Sequence, residues 1–453
     1  MKKAKIDMLH GPIWNKLIQF ALPVAATGIL EQLFNASDIA IVGNFSGDAK
    51  TIAVAAVGAN TPIIGLLLNL FIGIALGANV VVANAIGMND EKTIHKTVHT
   101  SVIMSIAGGL IVLLLGELFI GNLMQLLQIP DEVLPYAMLY IRIYLLGMPV
   151  ILLYNFEAAI FRSIGETKIP LQVLAFSGII NVVLNLFFVL VLKMTVNGVA
   201  TATVVSNFLS ALLLFIKLVK SKQIIRIRKE EFRFDRKVFL RIIRIGLPAG
   251  IQSAVFGLAN IVIQAAINSL GTIVMAASSA AFNIEICVYD IMNSFSQACT
   301  TFVGQNYGAG NLKRCKKILL LCILEDAVAT ASMVMIVLFF GKNLLRIFST
   351  DPQVIDTGYI RLLMIFAAYT FSMLYENMSG YLRGFGISLM PAVFTVIGVC
   401  GVRLLWIATV FPKSKTFKTI MMAYPLSLSF TAVLIFILLI MFRPSKRYAK
   451  NNK

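Results

Sequence analysis

The sequence predicts an all-α polytopic membrane protein with twelve transmembrane helices in two parallel six-helix lobes. The first reason is composition: 58% of the 453 residues are hydrophobic and 13% are charged, whereas about 25% are charged in a typical soluble domain. The second is that apolar runs long enough to cross about 30 Å of hydrocarbon as helices recur along the whole chain. The third is that the second half of the sequence repeats the first.

The predicted spans are continuous apolar runs, without the short alternating pattern of membrane β-strands. The spans are predicted near residues 15–43, 54–80, 94–118, 134–158, 168–192, 198–218, 240–268, 277–303, 316–340, 358–381, 389–411 and 417–442.

The net charge of +18 reports topology rather than a polyanionic partner. Most of the 39 Lys and Arg residues fall in the termini and in the loops that alternate with them on one side, and three, Arg142, Arg361 and Arg403, fall within spans. Because inner loops of membrane proteins are enriched in basic residues, both termini are predicted to be cytoplasmic. No nucleic-acid partner is expected.

An internal repeat divides the chain into two halves. The stretch FALPVAATGILEQLFN aligns with IGLPAGIQSAVFGLAN, AIGMND aligns with NYGAGN, and FRSIGETKIP aligns with LRGFGISLMP. Each half has an even number of spans, so both enter the membrane from the same side, and a pseudo-two-fold axis along the membrane normal is predicted. The predicted domains are an N-terminal lobe (1–216), a solvated cytoplasmic linker (217–239), and a C-terminal lobe with a basic tail (240–453).

The first span carries a polar stripe. Thr27, Glu31, Asn35 and Asp38 are spaced by four, four and three residues, which places them on one face of a helix. Such a face is too costly to point at lipid, so we expect it to line a cavity or the interior of the lobe. Pro23 precedes the stripe and marks a predicted break or bend in the helix.

Asp38 is the strongest candidate for a functional carboxylate. The fifth span offers Asn181 and Asn185 one turn apart, and the sixth offers the hydroxyl of Thr203. Together these groups supply hard oxygen ligands suited to a small cation such as Na⁺, and Asp38 could alternatively carry a proton. Taken singly and from spacing alone, the amides and the hydroxyl are better explained by a role in fastening helices together.

The internal repeat distinguishes a role in binding a cation or proton from a role in fastening helices. A group needed only to build a six-helix lobe should recur in both halves. Apolar residues stand opposite the candidate residues in the second half, namely Ile263 for Asp38, Val402 for Asn181 and Trp406 for Asn185.

Other ionisable residues within the spans are expected to form structural ion pairs. Glu157, close to Arg162, is expected to be an ion-paired gate or interface residue, and most of the second-half acids are expected to pair with Arg403 or another interior base. These acids are Glu285, Asp290, Glu325, Asp326 and Glu376. The roles of Glu285, Asp290, Glu376 and Arg403 stay open.

Enzymatic function is not predicted. The sequence has no P-loop, no Rossmann glycine motif after a strand and no nucleophile elbow. His95 and His99 have the spacing of a helical metal pair, but no further ligand stands near them in the sequence, and two solvated histidines are expected. We therefore expect no cofactor and no ATP hydrolysis.

With these features, the chain resembles the multidrug and toxic compound extrusion (MATE) family. The resemblance rests on FALPVAATGILEQLFNASDIAIVG, on AIGMND and NYGAGN, and on the two Arg-x-x-Gly turns, and it covers about residues 10 to 442. It implies export of organic, often cationic and amphipathic, compounds in exchange for Na⁺ or H⁺.

The resemblance also implies site residues. The aspartate on the first helix of the family matches Asp38, an Asn-x-x-x-Asp pair on the fifth helix matches Asn181 and Asn185, and a threonine on the sixth matches Thr203. Asn185 replaces the second acid of that pattern and so removes one negative charge. The second-half acids of one branch of the family fall on Phe256 and Ser372, so coupling is expected to rest on the N-terminal lobe.

The sequence thus predicts a secondary active exporter working by alternating access in the plasma membrane. Its expected coupling ion is Na⁺, held by Asp38, Asn181 and Thr203, or H⁺, and its expected partners are a small organic substrate and the lipid bilayer. We expect a monomer. The alternatives are a lipid-linked saccharide flippase of the wider superfamily and a membrane scaffold without transport activity.

Overall fold

The structure is a computed structural model that describes residues 6–47, 50–126 and 129–445. Within these ranges the regular structure is entirely helical. The α-helices are α1 (Trp14–Phe45), α2 (Lys50–Gly87), α3 (Glu91–Leu126), α4 (Leu134–Leu146), α5 (Met148–Ser163), α6 (Lys168–Leu186), α7 (Val196–Val219), α8 (Arg236–Asn268), α9 (Thr272–Gly308), α10 (Leu312–Arg346), α11 (Pro352–Gly384), α12 (Leu389–Thr395), α13 (Val402–Thr409) and α14 (Phe417–Phe442).

The predicted fold class is confirmed. In the part of the chain that the structure describes, eleven helical segments are long and apolar enough to cross a membrane, and α4 and α5 together make a twelfth span bent by 50°. The chain is therefore an all-α, multi-pass membrane protein.

The fourth span is bent at a glycine followed closely by a proline. Gly147 separates α4 from α5, and Pro149 occupies the first turn of α5. Proline lacks an N–H group and its ring clashes with the preceding turn, so it favours the start of a helix over its interior. The repeat places Phe366 and Ala368 at the corresponding positions of α11, which runs without interruption.

The order of elements repeats between the two halves. The fifth span of each half ends its first α-helical segment in a π-helical turn, Phe187–Val191 after α6 and Val396–Gly401 after α12. Because the π-helical turn occurs in both halves, it belongs to the shared architecture rather than to a site found in one half.

Two compact units emerge from the contacts within the chain. Unit 1 comprises residues 1–25, 83–89 and 244–453, and unit 2 comprises residues 26–82 and 90–243. Both α1 and α2 are divided between the units. The predicted lobe boundaries, 1–216 and 240–453, stay a prediction, and the end of the predicted basic tail, after residue 445, lies outside the described residues.

In unit 1, the segment before α1 is fixed to α9 and α10. The side chain of Asn306 donates a hydrogen bond to the carbonyl oxygen of Met8 over 2.9 Å. The guanidinium of Arg314 donates to the carbonyl oxygen of Gly11 over 2.9 Å. The ring of Phe20, within α1, packs edge to face on Phe302 with centroids 5.8 Å apart, so polar contacts hold the segment and an apolar contact holds the start of α1 that follows it.

The repeated glycine motifs also meet within unit 1, at the ends of α2 and α9. A Cβ atom added at Gly87 would lie 1.9 Å from the carbonyl oxygen of Gln305, and one added at Gly308 would lie 2.1 Å from that of Asn84. Only glycine permits the two backbones to come this close.

In unit 2, the charged linker after α7 packs against the start of α3. The backbone N–H of Arg228 donates to Nε2 of His99 over 3.2 Å, and the ammonium of Lys96 lies 2.6 Å from the carboxylate of Asp235. This ammonium, donating to Asp235, holds the pKa of that carboxyl below its usual range. Ile225 is fully buried, so the linker is not simply solvated.

The expectation that His95 and His99 are solvated is wrong. Their exposed fractions are 6% and 1%. The linker covers His99, whose ring centroid lies 5.5 Å from that of Phe232. Local sequence does not indicate this burial, because the linker contact joins residues that are far apart in the chain.

Candidate cation-coupling site

Three helices of unit 2 bring the predicted site residues together. The Nδ2 amide of Asn185 on α6 donates to Oδ1 of Asp38 on α1 over 2.5 Å. The hydroxyl of Thr203 on α7 lies 3.0 Å from the other carboxylate oxygen of Asp38. Asp38 is 6% exposed and Asn185 is fully buried. Each carboxylate oxygen therefore has one neutral hydrogen-bond donor.

Local sequence explains this geometry. Asn181 and Asn185 share one face of α6 because they are four residues apart. Helix α7 presents small residues, including the fully buried Ala200 and Ala202, and small residues let helix backbones approach closely in membranes.

A chain of polar groups extends from Asp38 between α6 and α7. Asn185 donates from Nδ2 to Oδ1 of Asn181 over 3.1 Å, and Asn181 in turn donates to the hydroxyl of Ser206 over 3.4 Å.

Sequence reasoning missed the serines of this region. The hydroxyl of Ser177 lies 2.5 Å from that of Ser210. Spacing would have found them, because Ser177 lies four residues before Asn181, and Ser206 and Ser210 are themselves four apart on α7.

The polar stripe of α1 lies partly on a cavity. Glu31, Asn35 and Asp38 line a cavity of about 140 Å³ together with residues of α2, α4, α5, α6 and α7. Thr27 is 2% exposed and is not among the residues that line it. Helix α1 runs from Trp14 to Phe45 through Pro23, so the helix is not broken at this proline.

The oxygen atoms around Asp38 suit a small cation. Oδ1 of Asn185 is buried and has no hydrogen-bond partner in the described structure. This unpaired oxygen belongs to the same side-chain amide whose Nδ2 donates to Asp38. The carboxylate, the two amide oxygens and the Thr203 hydroxyl form a set of hard ligands of the kind that alkali and alkaline-earth ions prefer.

The equivalent positions of the second half carry apolar packing. Ile263 is 2% exposed and belongs to a hydrophobic cluster of unit 1. The indole of Trp406 donates to the carbonyl oxygen of Thr419 over 2.8 Å. The polar set around Asp38 is therefore not repeated at these positions.

Several other acids within the spans are engaged in ion pairs. Glu285 and Arg361, both nearly buried, lie 2.8 Å apart, and Glu376 lies 3.3 Å from Arg383. The structural interpretation of these two acids is thereby supported. Asp290 lies on α9.

Arg403 departs from the expectation of ion pairing among the described residues. Arg403 donates to the hydroxyl of Ser427 over 2.9 Å, and its guanidinium lies 4.1 Å from the ring centroid of Tyr424.

The expectation that Glu157 pairs with Arg162 is wrong. Glu157 is fully buried, and neither of its carboxylate oxygens has a hydrogen-bond partner among the described residues. The two side chains are five positions apart on α5, and at 3.6 residues per turn this spacing places them on different faces of the helix.

Comparison with known proteins agrees with the fold and the repeat. The family model described as MatE matches residues 23–187 and again residues 248–408. The chain is 24% identical to "Probable multidrug resistance protein YoeA" of Bacillus subtilis, over 86% of this chain and 85% of that protein. It is 26% identical to a "FAD transporter" of Shewanella oneidensis, over 81% of each.

A solved structure shares the fold. It is an outward-facing conformation of a multidrug resistance MATE family transporter, 20% identical, with a TM-score of 0.90 over 99% of this chain and 100% of that chain. Because the family model covers most of both halves, the chain belongs to the MATE family of membrane transporters, which are not enzymes.

Proposed function

We propose that this protein is a secondary active antiporter that exports organic, cationic and amphipathic compounds in exchange for Na⁺ or H⁺. On this proposal it works as a monomer in the plasma membrane with both termini in the cytoplasm. The observation that carries the proposal is the buried carboxylate of Asp38, which is held by the neutral donors Asn185 and Thr203.

The electrostatics of Asp38 favour an exchangeable counter-ion. A carboxylate at the centre of a membrane-spanning helix costs roughly 2.5–3.5 kcal/mol on insertion scales. Asp38 takes part in none of the ion pairs found among the described residues. A cation or proton that neutralises it would remove this cost, and its departure would restore the cost.

The size of the cavity favours an ion over a drug. Its volume of about 140 Å³ is smaller than the roughly 300–1,000 Å³ of typical pockets for drug-sized ligands. The carboxylate of Asp38, the Oδ1 atom of Asn181 and the hydroxyl of Thr203 would provide the oxygen ligands for Na⁺ as the transported ion.

Coupling requires that the cation and the substrate prefer different conformational states or compete for the same groups. We place the moving element in α1. The division between units 1 and 2 crosses this helix between Ala25 and Ala26, two residues after Pro23. Proline removes one backbone hydrogen bond from a helix, so bending costs less there than elsewhere in α1.

The rival functions fit the charged residues less well. A flippase for lipid-linked saccharides needs a basic cavity for pyrophosphate. Arg361 is neutralised by Glu285, and Arg403 is engaged by Ser427 and Tyr424. A scaffold without transport activity would have no need for a buried polar set at positions whose counterparts in the other half, such as Ile263, are apolar.

Transport by the purified protein in liposomes tests the proposal. The probes are a fluorescent organic cation and, because one relative is named an FAD transporter, FAD itself. Na⁺ and pH gradients are imposed separately, with the membrane potential clamped. We expect accumulation of the cation that follows one of the gradients.

Two results would contradict the proposal. Movement of the organic cation that ignores both gradients would exclude antiport. Gradient-driven movement of FAD without movement of the cation would keep antiport and replace the substrate class. Empty liposomes and liposomes with dissipated gradients control for leakage.

A further inference from the structure

A second buried carboxylate, in unit 1, has nearly the same surroundings as Asp38. The hydroxyl of Thr330 on α10 donates to Oδ1 of Asp326 over 2.8 Å. The amide of Asn377 on α11 donates from Nδ2 to Oδ2 of Asp326 over 2.6 Å. Asp326 and Asn377 are fully buried, and Thr330 is 5% exposed. As at Asp38, one threonine and one asparagine each serve one carboxylate oxygen.

Asp326 forms no ion pair with a basic side chain among the described residues. The ionisable groups near it are mostly acidic. Glu325 precedes it, and Glu376 on α11 is paired with Arg383. Cys322 lies one turn earlier on α10. Since an unpaired buried charge is strongly unfavourable, this environment favours the neutral form of the Asp326 carboxyl.

An unused acceptor stands beside the carboxylate. Oδ1 of Asn377 is buried and has no hydrogen-bond partner in the described structure. Nδ2 of the same amide donates to the carbonyl oxygen of Met373 over 3.0 Å as well as to Asp326, which identifies the unpaired atom as the oxygen. A carboxylic acid O–H on Asp326 would supply the donor that this oxygen lacks, after a small rotation of either side chain.

The cluster is not a requirement of the repeated fold. The alignment of AIGMND with NYGAGN places Ser105 and Gly109 opposite Asp326 and Thr330. The alignment of the two YIR motifs places Ala158 opposite Asn377. None of these three first-half residues can reproduce the carboxylate cluster.

We propose that Asp326 is a second proton-binding carboxylate, in which the bound proton is shared with Oδ1 of Asn377. The proton comes from water and returns to water, and no other bond changes. The inference rests on the proposed function only in its purpose: a proton site in each half would let both halves respond to the proton gradient. Proton binding itself is independent of transport.

Infrared difference spectroscopy of the purified full-length protein in lipid tests the proposal. A pH titration is recorded in the carboxylic acid C=O region for the wild type, Asp326→Asn and Asp38→Asn. The control is Asp356→Asn, which removes a surface carboxylate paired with Lys342. We expect a titrating C=O band that is absent only in Asp326→Asn.

A second variant, Thr330→Val, keeps the proposal testable if Asp326→Asn fails to fold. This variant keeps the carboxyl group and removes one hydrogen bond to it, so the same band should remain and move to higher frequency. Spectra of Asp326→Asn that superimpose on those of the wild type at every pH would overturn the proposal. Loss of the band on adding Na⁺ at constant pH would also overturn it, because the occupant would then be a metal ion.

The outcome does not depend on the antiport assay. A titrating band assigned to Asp326 supports the proton site even if transport ignores both gradients. Absence of the band removes the site and leaves coupling at Asp38 untouched.

Discussion

Asn185→Asp should strengthen Na⁺ binding at Asp38, because it places a second carboxylate where an amide now stands. The contact between Nδ2 of Asn185 and Oδ1 of Asp38 is 2.5 Å, so the two carboxylate charges would lie about 4 Å apart. At an effective dielectric constant of about 20, like charges at this distance repel by about 4 kcal/mol. A cation between them relieves this repulsion.

The expected gain follows from that energy. If all of it is recovered on binding, Na⁺ affinity rises by a factor on the order of 1,000, since each 1.4 kcal/mol is tenfold. Relaxation and water entry reduce this value, so we expect a gain between about tenfold and this limit. The experiment is done at alkaline pH, so that protons do not neutralise the new acid.

The assay is the shift of the thermal unfolding midpoint with Na⁺ concentration, since a ligand that binds only the native state stabilises it in proportion to RT ln(1 + [L]/Kd). Asn207→Asp is the matched control. Asn207 lines the same cavity but donates to the carbonyl oxygen of Thr203 instead of to Asp38. Equal Na⁺ responses in Asn185→Asp and Asn207→Asp would refute the reasoning.

Two further predictions concern unit 1. Gly308→Ala should lower the unfolding free energy by about 1–3 kcal/mol, because the new Cβ would lie 2.1 Å from the carbonyl oxygen of Asn84. In the control Gly257→Ala, where nothing lies within 4 Å, thermal unfolding should show no loss; equal losses would contradict the packing argument. Glu285→Gln should cost roughly 3–5 kcal/mol, because it leaves Arg361 buried without a counter-charge. Denaturant titration measures the cost, and unchanged stability would show that the pair is not needed.

Helical periodicity predicted part of the polar set around Asp38. Membrane-spanning helices must satisfy their backbone internally, so apolar length gives the spans and spacing gives the faces. Asn181 and Asn185 could be assigned to one face in this way, whereas Thr203 was chosen for its hydroxyl and for its match to the family pattern. Their hydrogen bonds to each other and to Asp38 follow the prediction, while their role in coupling stays a proposal.

Features set by contacts between distant residues could not be predicted. The burial of His99 depends on the linker around Arg228, and nothing in the local pattern of α3 indicates that contact. The wrong pairing of Glu157 with Arg162 had a different origin, since proximity in sequence was used where helical angle decides.

The bend in the fourth span, which α11 lacks in the second half, is explained by local sequence. Gly147 and Pro149 bend the fourth span, and both residues are visible in the sequence. One uninterrupted span is nevertheless predicted from the sequence, because hydropathy depends on composition and does not report the backbone geometry that proline imposes.

Gradient-driven transport by Asp38→Asn tests the central claim most directly. The amide keeps the size of the carboxylate and its oxygen can still accept the hydrogen bond from Asn185, so fold and substrate binding should persist. The account predicts that substrate accumulation driven by Na⁺ or pH is lost, while exchange of substrate without a gradient is retained, with Asp356→Asn behaving as the wild type. Undiminished gradient-driven accumulation by Asp38→Asn would contradict it.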